Sequence, residues 1–168
     1  MKVTYFKGLR FTSPAGNPEL SEVLSDIKNG KWERQIQKCR TNLSEKNRLP
    51  CFTPTGIFNH RSIKGLESYN GVVCLDIDHV EDPEALKEKC KELHWVTAAF
   101  VTPSGKGLKV IVQTHATSEN YKQVEELVAA AFLEATGCSR DNHCKDIARI
   151  QFVSHDPHLY YNPSAITF

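Results

Sequence analysis

The chain has 168 residues, 40% of them hydrophobic and 24% charged, and a net charge of +1. That is the make-up of one domain around one core. It excludes a membrane span, because no apolar run approaches the ~18 residues one needs, and the opening MKVTYFKGLRF lacks the apolar stretch and small-residue cleavage site of a signal peptide, so the expected location is the cytoplasm.

In chain order, residues 1–12 read as a strand with Val3, Tyr5, Leu9 and Phe11 apolar, and 13–18 (SPAGNP) as a loop. Leu20, Val23, Leu24 and Ile27 recur at spacings of three and four, which predicts a helix over 20–28 ended by Asn29-Gly30. A second helix over 31–42 has Trp32, Ile36 and Cys39 on one face and basic residues on the other. Residues 49–58 read as a short strand and turn, and 71–77 as a buried strand. Asp82-Pro83 opens a helix over 83–93 with proline in its first turn. Strands over 95–102 and 108–114 flank a turn at 103–107. Ser118 is the expected cap of a helix reaching 136, with Val124, Leu127, Val128, Ala131 and Phe132 on its core face and Gly137 as its stop. A last central strand is expected over 147–154 and an edge strand near 165–168. This order predicts an α+β fold, a mixed or antiparallel sheet with helices packed against it, rather than a doubly wound parallel sheet.

Charge and thiols are unevenly spread. Segment 31–64 carries Arg34, Lys38, Arg40, Lys46 and Arg48 among its cations, against only Glu33 and Glu45. Such a patch attracts phosphate, or it is a solvated helix face. The six cysteines, without a secretion signal, are expected as free thiols. Cys138, His143, Cys144, His155 and His158 lie close in sequence and could be drawn as a zinc site, but their spacing matches no paired C-x-x-C pattern.

Three blocks carry chemistry. In VVCLDID, strand alternation puts Asp76 and Asp78 on one face, where two carboxylates repel unless cations sit between them. Oxygen ligands so placed suit Mg²⁺ or Mn²⁺, and such ions can activate a sugar hydroxyl and neutralise a triphosphate; alternatively the pair simply caps a strand end in water. In TPSGKGLKV, Gly105 and Gly107 let backbone approach a ligand, Ser104 adds a hydroxyl, and Lys106 and Lys109 add charge for a triphosphate. This is not a Walker loop, since no GK[ST] ending precedes a helix, and a plain β-turn would use the same residues. In SRDNHCKDIARI, Asp141 or Asp146 offers a third carboxylate, and Arg149 leads an apolar strand; a surface loop with one structural Arg–Asp pair is the simpler account.

Taken together, the LDID strand, the PSGKGLKVIV turn, the DIARIQFVSHDP ending and the lead-in KNRLP resemble the archaeo-eukaryotic primase superfamily over roughly residues 45–160. More particularly, they resemble the primase-like N-terminal domain of mobile-element and phage primase–helicases, a group also given a VirE N-terminal label. The resemblance implies an RNA-recognition-like catalytic sheet, with the strand and helices of 1–45 leading into a motif core over 46–160, alone or within a longer primase–helicase. Asp76 and Asp78 would be the first motif, Ser104 to Lys109 the nucleotide-gripping second, and Asp141 the third metal ligand, eight residues before Arg149, with Asp146 the competing assignment. Arg149 would orient an Asp or a phosphate.

The implied activity is template-directed nucleotidyl transfer in DNA replication, with Mg²⁺ or Mn²⁺ as cofactor. Single-stranded DNA, nucleoside triphosphates and a helicase are its implied partners, and the template backbone would track Arg34, Lys38, Arg40, Lys46 and Arg48. One departure from the family pattern stands out: Lys109 occupies the place where the superfamily usually ends its second motif with His. A lysine neutralises phosphate but is no neutral proton shuttle near pH 7. The rival reading is therefore a module that binds single strands or nucleotides without synthesis. A metal-dependent nuclease is the other rival, but its usual D-…-E-x-K motif is missing.

Overall fold

The computed structural model describes residues 1–143 and 146–168. Its organising element is the strand β5 (Val72–Asp78), whose β-branched and apolar residues are covered on both faces. It pairs antiparallel along its whole length with β7 (Gly107–Gln113), from Val72 opposite Gln113 to Asp78 opposite Gly107. β6 (Val96–Val101) lies on the other side of β7, and β9 (Tyr160–Tyr161) forms the edge, giving the order β5-β7-β6-β9. β6 and β7 are the expected hairpin: Gly105 N–H donates to the Thr102 carbonyl and Thr102 N–H to Gly107.

Alternation sorts the sheet's side chains into two cores. Val73, Leu75, Ile77, Leu108 and Val110 pack with Leu86 and Cys90 of α3 (Pro83–Glu92) and Val128 and Phe132 of α4 (Tyr121–Thr136). Cys74, Ile111, Ala98 and Phe100 face the opposite way. They meet Leu24 and Ile27 of α1 (Leu20–Lys28) and Ile36 and Cys39 of α2 (Glu33–Thr41). A small sheet of β1 (Thr4–Phe6), β2 (Cys51–Thr53) and β8 (Gln151–Phe152) adjoins this second core, and β3 (Gly56–Phe58) pairs with β4 (Leu66–Tyr69). Among the described residues no helix is long and apolar enough to cross a membrane.

The α+β architecture and antiparallel main sheet agree with the sequence expectation. Helix α1 has its predicted bounds, closed at its start by reciprocal Glu19–Glu22 bonds. Other expectations are corrected. The strand over 1–12 contracts to Thr4–Phe6, with isolated pairings from Lys2 and Tyr5 to the strand-like segment before α1. α4 begins at Tyr121, because Asn120 Oδ1 accepts the Thr117 N–H at 2.6 Å and closes a turn ahead of it, so Ser118 is no cap. The core face of α4 is also rotated: Leu127 is exposed while Glu125 is buried. The strand expected over 147–154 is only Gln151–Phe152 and lies at the edge of the small sheet. Just ahead of it Arg149 N–H turns back to the Asp146 carbonyl, and Thr55 Oγ1 donates to the Ile147 carbonyl at 2.6 Å. The edge strand of the main sheet is Tyr160–Tyr161 rather than 165–168, although Phe168 N–H still reaches the Gln113 carbonyl.

A buried ion pair joins the layers. Lys87 of α3, fully enclosed, donates to both Asp156 oxygens at 2.8 and 2.7 Å. Asp156 also accepts the N–H groups of Val101, at the end of β6, and His158. A carboxylate this enclosed needs such partners, and removing it leaves the buried ammonium with only the half-exposed Glu84 carboxylate, at 2.9 Å. Asp156→Ala is expected to cost about 3–5 kcal/mol in denaturant unfolding; a loss below about 1 kcal/mol would show the pair to be energetically idle.

Candidate active site

The register of β5, β7 and β6 lays two cross-strand rows at one end of the sheet. The first row is Asp76, Lys109 and Phe100. The second begins with Asp78 opposite Gly107, and beyond Gly107 lies Thr102, the residue after β6. In the first row the Lys109 ammonium is bonded to Asp76 Oδ2, with both side chains largely enclosed. In the second row Asp78 is exposed, and Gly107 opposite it packs closely against the Ile77 carbonyl and the Thr102 methyl. A Cβ there would stand 2.5 Å from the Ile77 carbonyl oxygen and 3.3 Å from the Asp78 carboxylate, so only glycine fits.

The glycine turn is held from two sides. Thr102 and Ser104 hydroxyls lie 3.1 Å apart, and the Lys106 carbonyl accepts the Val80 N–H, which ties the turn to the segment leaving β5. That segment reverses at His79, in the left-handed region at φ 56°, one of the side chains that tolerates it. A cavity of about 360 Å³ opens here, walled by Asp78, His79, Glu81, Lys89 and Ser139. Gly105, at φ 76°, lies with its open face 3.5 Å from the Arg40 guanidinium, which also donates to the His155 carbonyl at 3.1 Å. Lys106 is exposed.

The third acidic block is stitched directly to the first: Asp141 N–H donates to the Asp76 carbonyl oxygen at 2.7 Å. Arg140 is anchored beside this contact. Its guanidinium pairs with the Glu125 carboxylate, buried on α4, and also reaches Asn142 Oδ1 at 2.6 Å. The Asp141 carboxylate accepts the His143 N–H at 2.9 Å. Asp146 lies farther along the loop, near enough to Tyr121 that its charge adds to burial in pushing that phenol upward. Arg149 is half-buried. Glu125 and Arg140 are the functional-site residues that sequence reasoning missed. Their only signal was a charged residue at a core-facing helical spacing and an arginine beside Asp141.

Among the described residues no three acidic, His or Cys side chains converge into a ready cation cage. The donor chemistry of Asp76, Asp78 and Asp141 nevertheless fits a hard divalent ion. One of these carboxylates, Asp76, already has a cationic partner in Lys109.

The other sequence candidates separate. Arg34 and Lys38 are exposed on α2, Lys46 lies 5.5 Å over the Phe152 ring, and Arg48 pairs with Glu45 at 3.1 Å. Cys39, Cys51, Cys74 and Cys90 are buried free thiols. Burial pushes Cys74 and Cys90 up to about 12 and Cys51 to about 11, which keeps them protonated and poor metal ligands. The drawn zinc set is not assembled among the described residues: Cys138 packs against the α3–α4 core while His155 sits against Gly30. Cys144 lies outside the described residues.

If the Glu125–Arg140 pair seats the Asp141 loop, Glu125→Gln should release it locally. Amide exchange at Asp141 is expected to quicken on the order of ten-fold or more, with the β5–β7 amides unchanged. Equal protection at Asp141 in both proteins would mean that the pair does not hold the loop.

Comparison with known proteins bears on the same region. The model of a family described as BT4734-like, N-terminal domain, matches residues 44–161. Among solved structures, the AEP domain of the cyanophage S-2L primase–polymerase (PrimPol) aligns with a TM-score of 0.52 over 99% of this chain and 84% of that one, at 10% identity. No curated protein matches the chain. At that identity the likeness is one of fold, and it agrees with the α+β architecture described above. The chain belongs to the BT4734-like N-terminal domain family, built on a primase–polymerase-type fold.

Proposed function

We propose that this chain is the primase-like domain of a mobile-element or phage primase–helicase (the VirE N-terminal type), acting in the cytoplasm, and that it catalyses metal-dependent, template-directed nucleotidyl transfer on single-stranded DNA. The observation that carries the proposal is the bond from Asp141 N–H to the Asp76 carbonyl, which joins the third acidic block to the D-x-D strand beside the glycine turn. Residues 1–45 and 46–160 act as one unit, because α1 and α2 share a core with the sheet that bears the site.

Asp76, Asp78 and Asp141 would hold Mg²⁺ or Mn²⁺, with Asp146 the competing assignment; Asp141 is preferred because its N–H is bonded to the Asp76 carbonyl. The bound ion supplies charge neutralisation for the triphosphate and lowers the pKa of the attacking hydroxyl. Gly105 and Gly107 let the triphosphate approach the backbone, with Ser104 and Lys106 as donors. Arg40 overhangs the same turn, so it serves the triphosphate rather than the template. With a metal held by Asp76, the Lys109 ammonium would be released to pair with a phosphate oxygen. Arg149 steadies the third block. The incoming nucleoside triphosphate and a helicase are the partners.

A second reading is favoured by the Lys109–Asp76 pair itself. A permanent ammonium on Asp76 substitutes for a metal, and the domain then binds single strands or nucleotides without synthesis.

One set of measurements separates the two: primer extension and Mn²⁺-dependent thermal shift on wild type, Asp76→Asn, Asp78→Asn and Lys109→Ala. The enzyme reading expects extension by wild type and a loss of at least about a hundred-fold in both aspartate variants. It also expects nucleotide binding to weaken by about 1–3 kcal/mol in Lys109→Ala. The binding-module reading expects no extension, no Mn²⁺ shift in wild type, and a new Mn²⁺ shift in Lys109→Ala, where Asp76 has lost its counter-ion.

A further inference from the structure

A second cationic surface lies apart from the carboxylates. After β1 the chain runs through Lys7, Gly8, Arg10 and Phe11, and this segment lies on the backbone of 47–49: a Cβ at Gly8 would stand 3.5 Å from the Leu49 carbonyl oxygen. Between it and the 3-10 turn Leu43–Arg48 is a cavity of about 490 Å³, lined by Lys7, Arg10, Phe11, Glu45, Asn47 and Arg48. Its one acid, Glu45, is already taken by Arg48 NH1, at 3.1 and 3.2 Å. Among the described residues neither Lys7 nor Arg10 is in an ion pair with a carboxylate, so the cavity keeps a positive excess. Phe11 is 53% exposed on its wall.

Solvation accounts for the cations but not for the ring. An exposed phenyl gains nothing from water, and a purely acidic peptide would use the charges while leaving Phe11 bare. A single-stranded nucleic acid uses both: its phosphates sit on the cations and a base stacks on the ring. The surface also leads somewhere. Lys46 stands over Phe152, Lys46 and Arg40 both lie close enough to Cys39 to act on its thiol, and Arg40 abuts Gly105. Cations and a second ring thus run from the cavity to the glycine turn.

We propose that the Lys7, Arg10, Phe11 and Arg48 cavity seats a single-stranded nucleic acid, with a base on Phe11 and the strand directed past Phe152 toward the glycine turn. That this strand is the template rests on the nucleotidyl-transfer reading; its binding does not.

The test is fluorescence anisotropy of the full chain with oligo(dT), oligo(rU) and an abasic oligomer across a salt series. The variants are Phe11→Ala, Phe11→Trp and the double variant Lys7→Ala/Arg10→Ala, each checked for an unchanged melting temperature. Phe11→Ala should weaken oligo(dT) or oligo(rU) binding about ten-fold, the scale of one lost stack, with Phe11→Trp near wild type and no change on the abasic strand. The double variant should reduce the log–log salt slope by about 1.4. Binding of either the deoxy or the ribo strand with this pattern supports the site, and the tighter of the two names its ligand. Absence of binding by wild type, equal loss on abasic and base-bearing strands, an unchanged slope, or full competition by poly-glutamate overturns it. Failure of primer extension with the Phe11 pattern intact sinks synthesis and leaves this site standing.

Discussion

Full-length pairing of β5 with β7 is the constraint from which the site's geometry follows. All of β5 is in register with β7, so the side chains of Val73, Leu75 and Ile77 enter the α3–α4 core while Cys74, Asp76 and Asp78 turn the other way. A slip of one residue would drive Asp76 into the apolar layer against α3 and α4, which is prohibitive for a carboxylate without a partner. The same register sets Lys109 opposite Asp76 and Gly107 opposite Asp78. One carboxylate therefore has a counter-ion in place, and the other is exposed at the end of the strand.

Two enclosed ion pairs then bring loops to that end of the sheet. Glu125–Arg140 binds the segment before Asp141 to α4, and Lys87–Asp156 binds the segment after β8 to α3 and to the end of β6. Buried pairs of this kind add little net stability against an apolar alternative, but losing one member is costly. They therefore act chiefly as devices of position. The loop carrying Asp141 and the turn carrying Ser104 and Lys106 would otherwise be short, polar and held by few contacts. With both loops held, the acidic blocks and the glycine turn meet at one edge, with Arg40 of α2 closing over the turn.

Much of this was legible in the residues. The bounds of α1, the antiparallel hairpin, the D-x-D strand and the glycine stop after α4 all follow from local rules of periodicity, capping and turn chemistry. The misses come from hydrogen bonds that hydrophobic periodicity does not register. The strand over 147–154 shrank to two residues because the Ile147 carbonyl accepts from distant Thr55 and Arg149 N–H closes a local turn onto Asp146. The start of α4 moved because Asn120 bonded Thr117 rather than leaving Ser118 to cap. Leu127 was expected inside because it is apolar, yet Glu125 took the buried face to meet an arginine fifteen residues along the chain.

The sequence by itself determined which residues could carry chemistry: the alternation that puts Asp76 and Asp78 on one face, the glycines that suit a turn or a close approach, and the α+β order of elements. These are local properties, set by backbone geometry within a few residues. Only the tertiary structure decided how the candidates are divided. Long-range pairing put Lys109 on Asp76, Arg40 over Gly105, Asp141 against β5, and Lys7, Arg10 and Phe11 beside Arg48. A charge's partner is whatever the fold brings within a few ångströms, and that distance is not written in sequence separation.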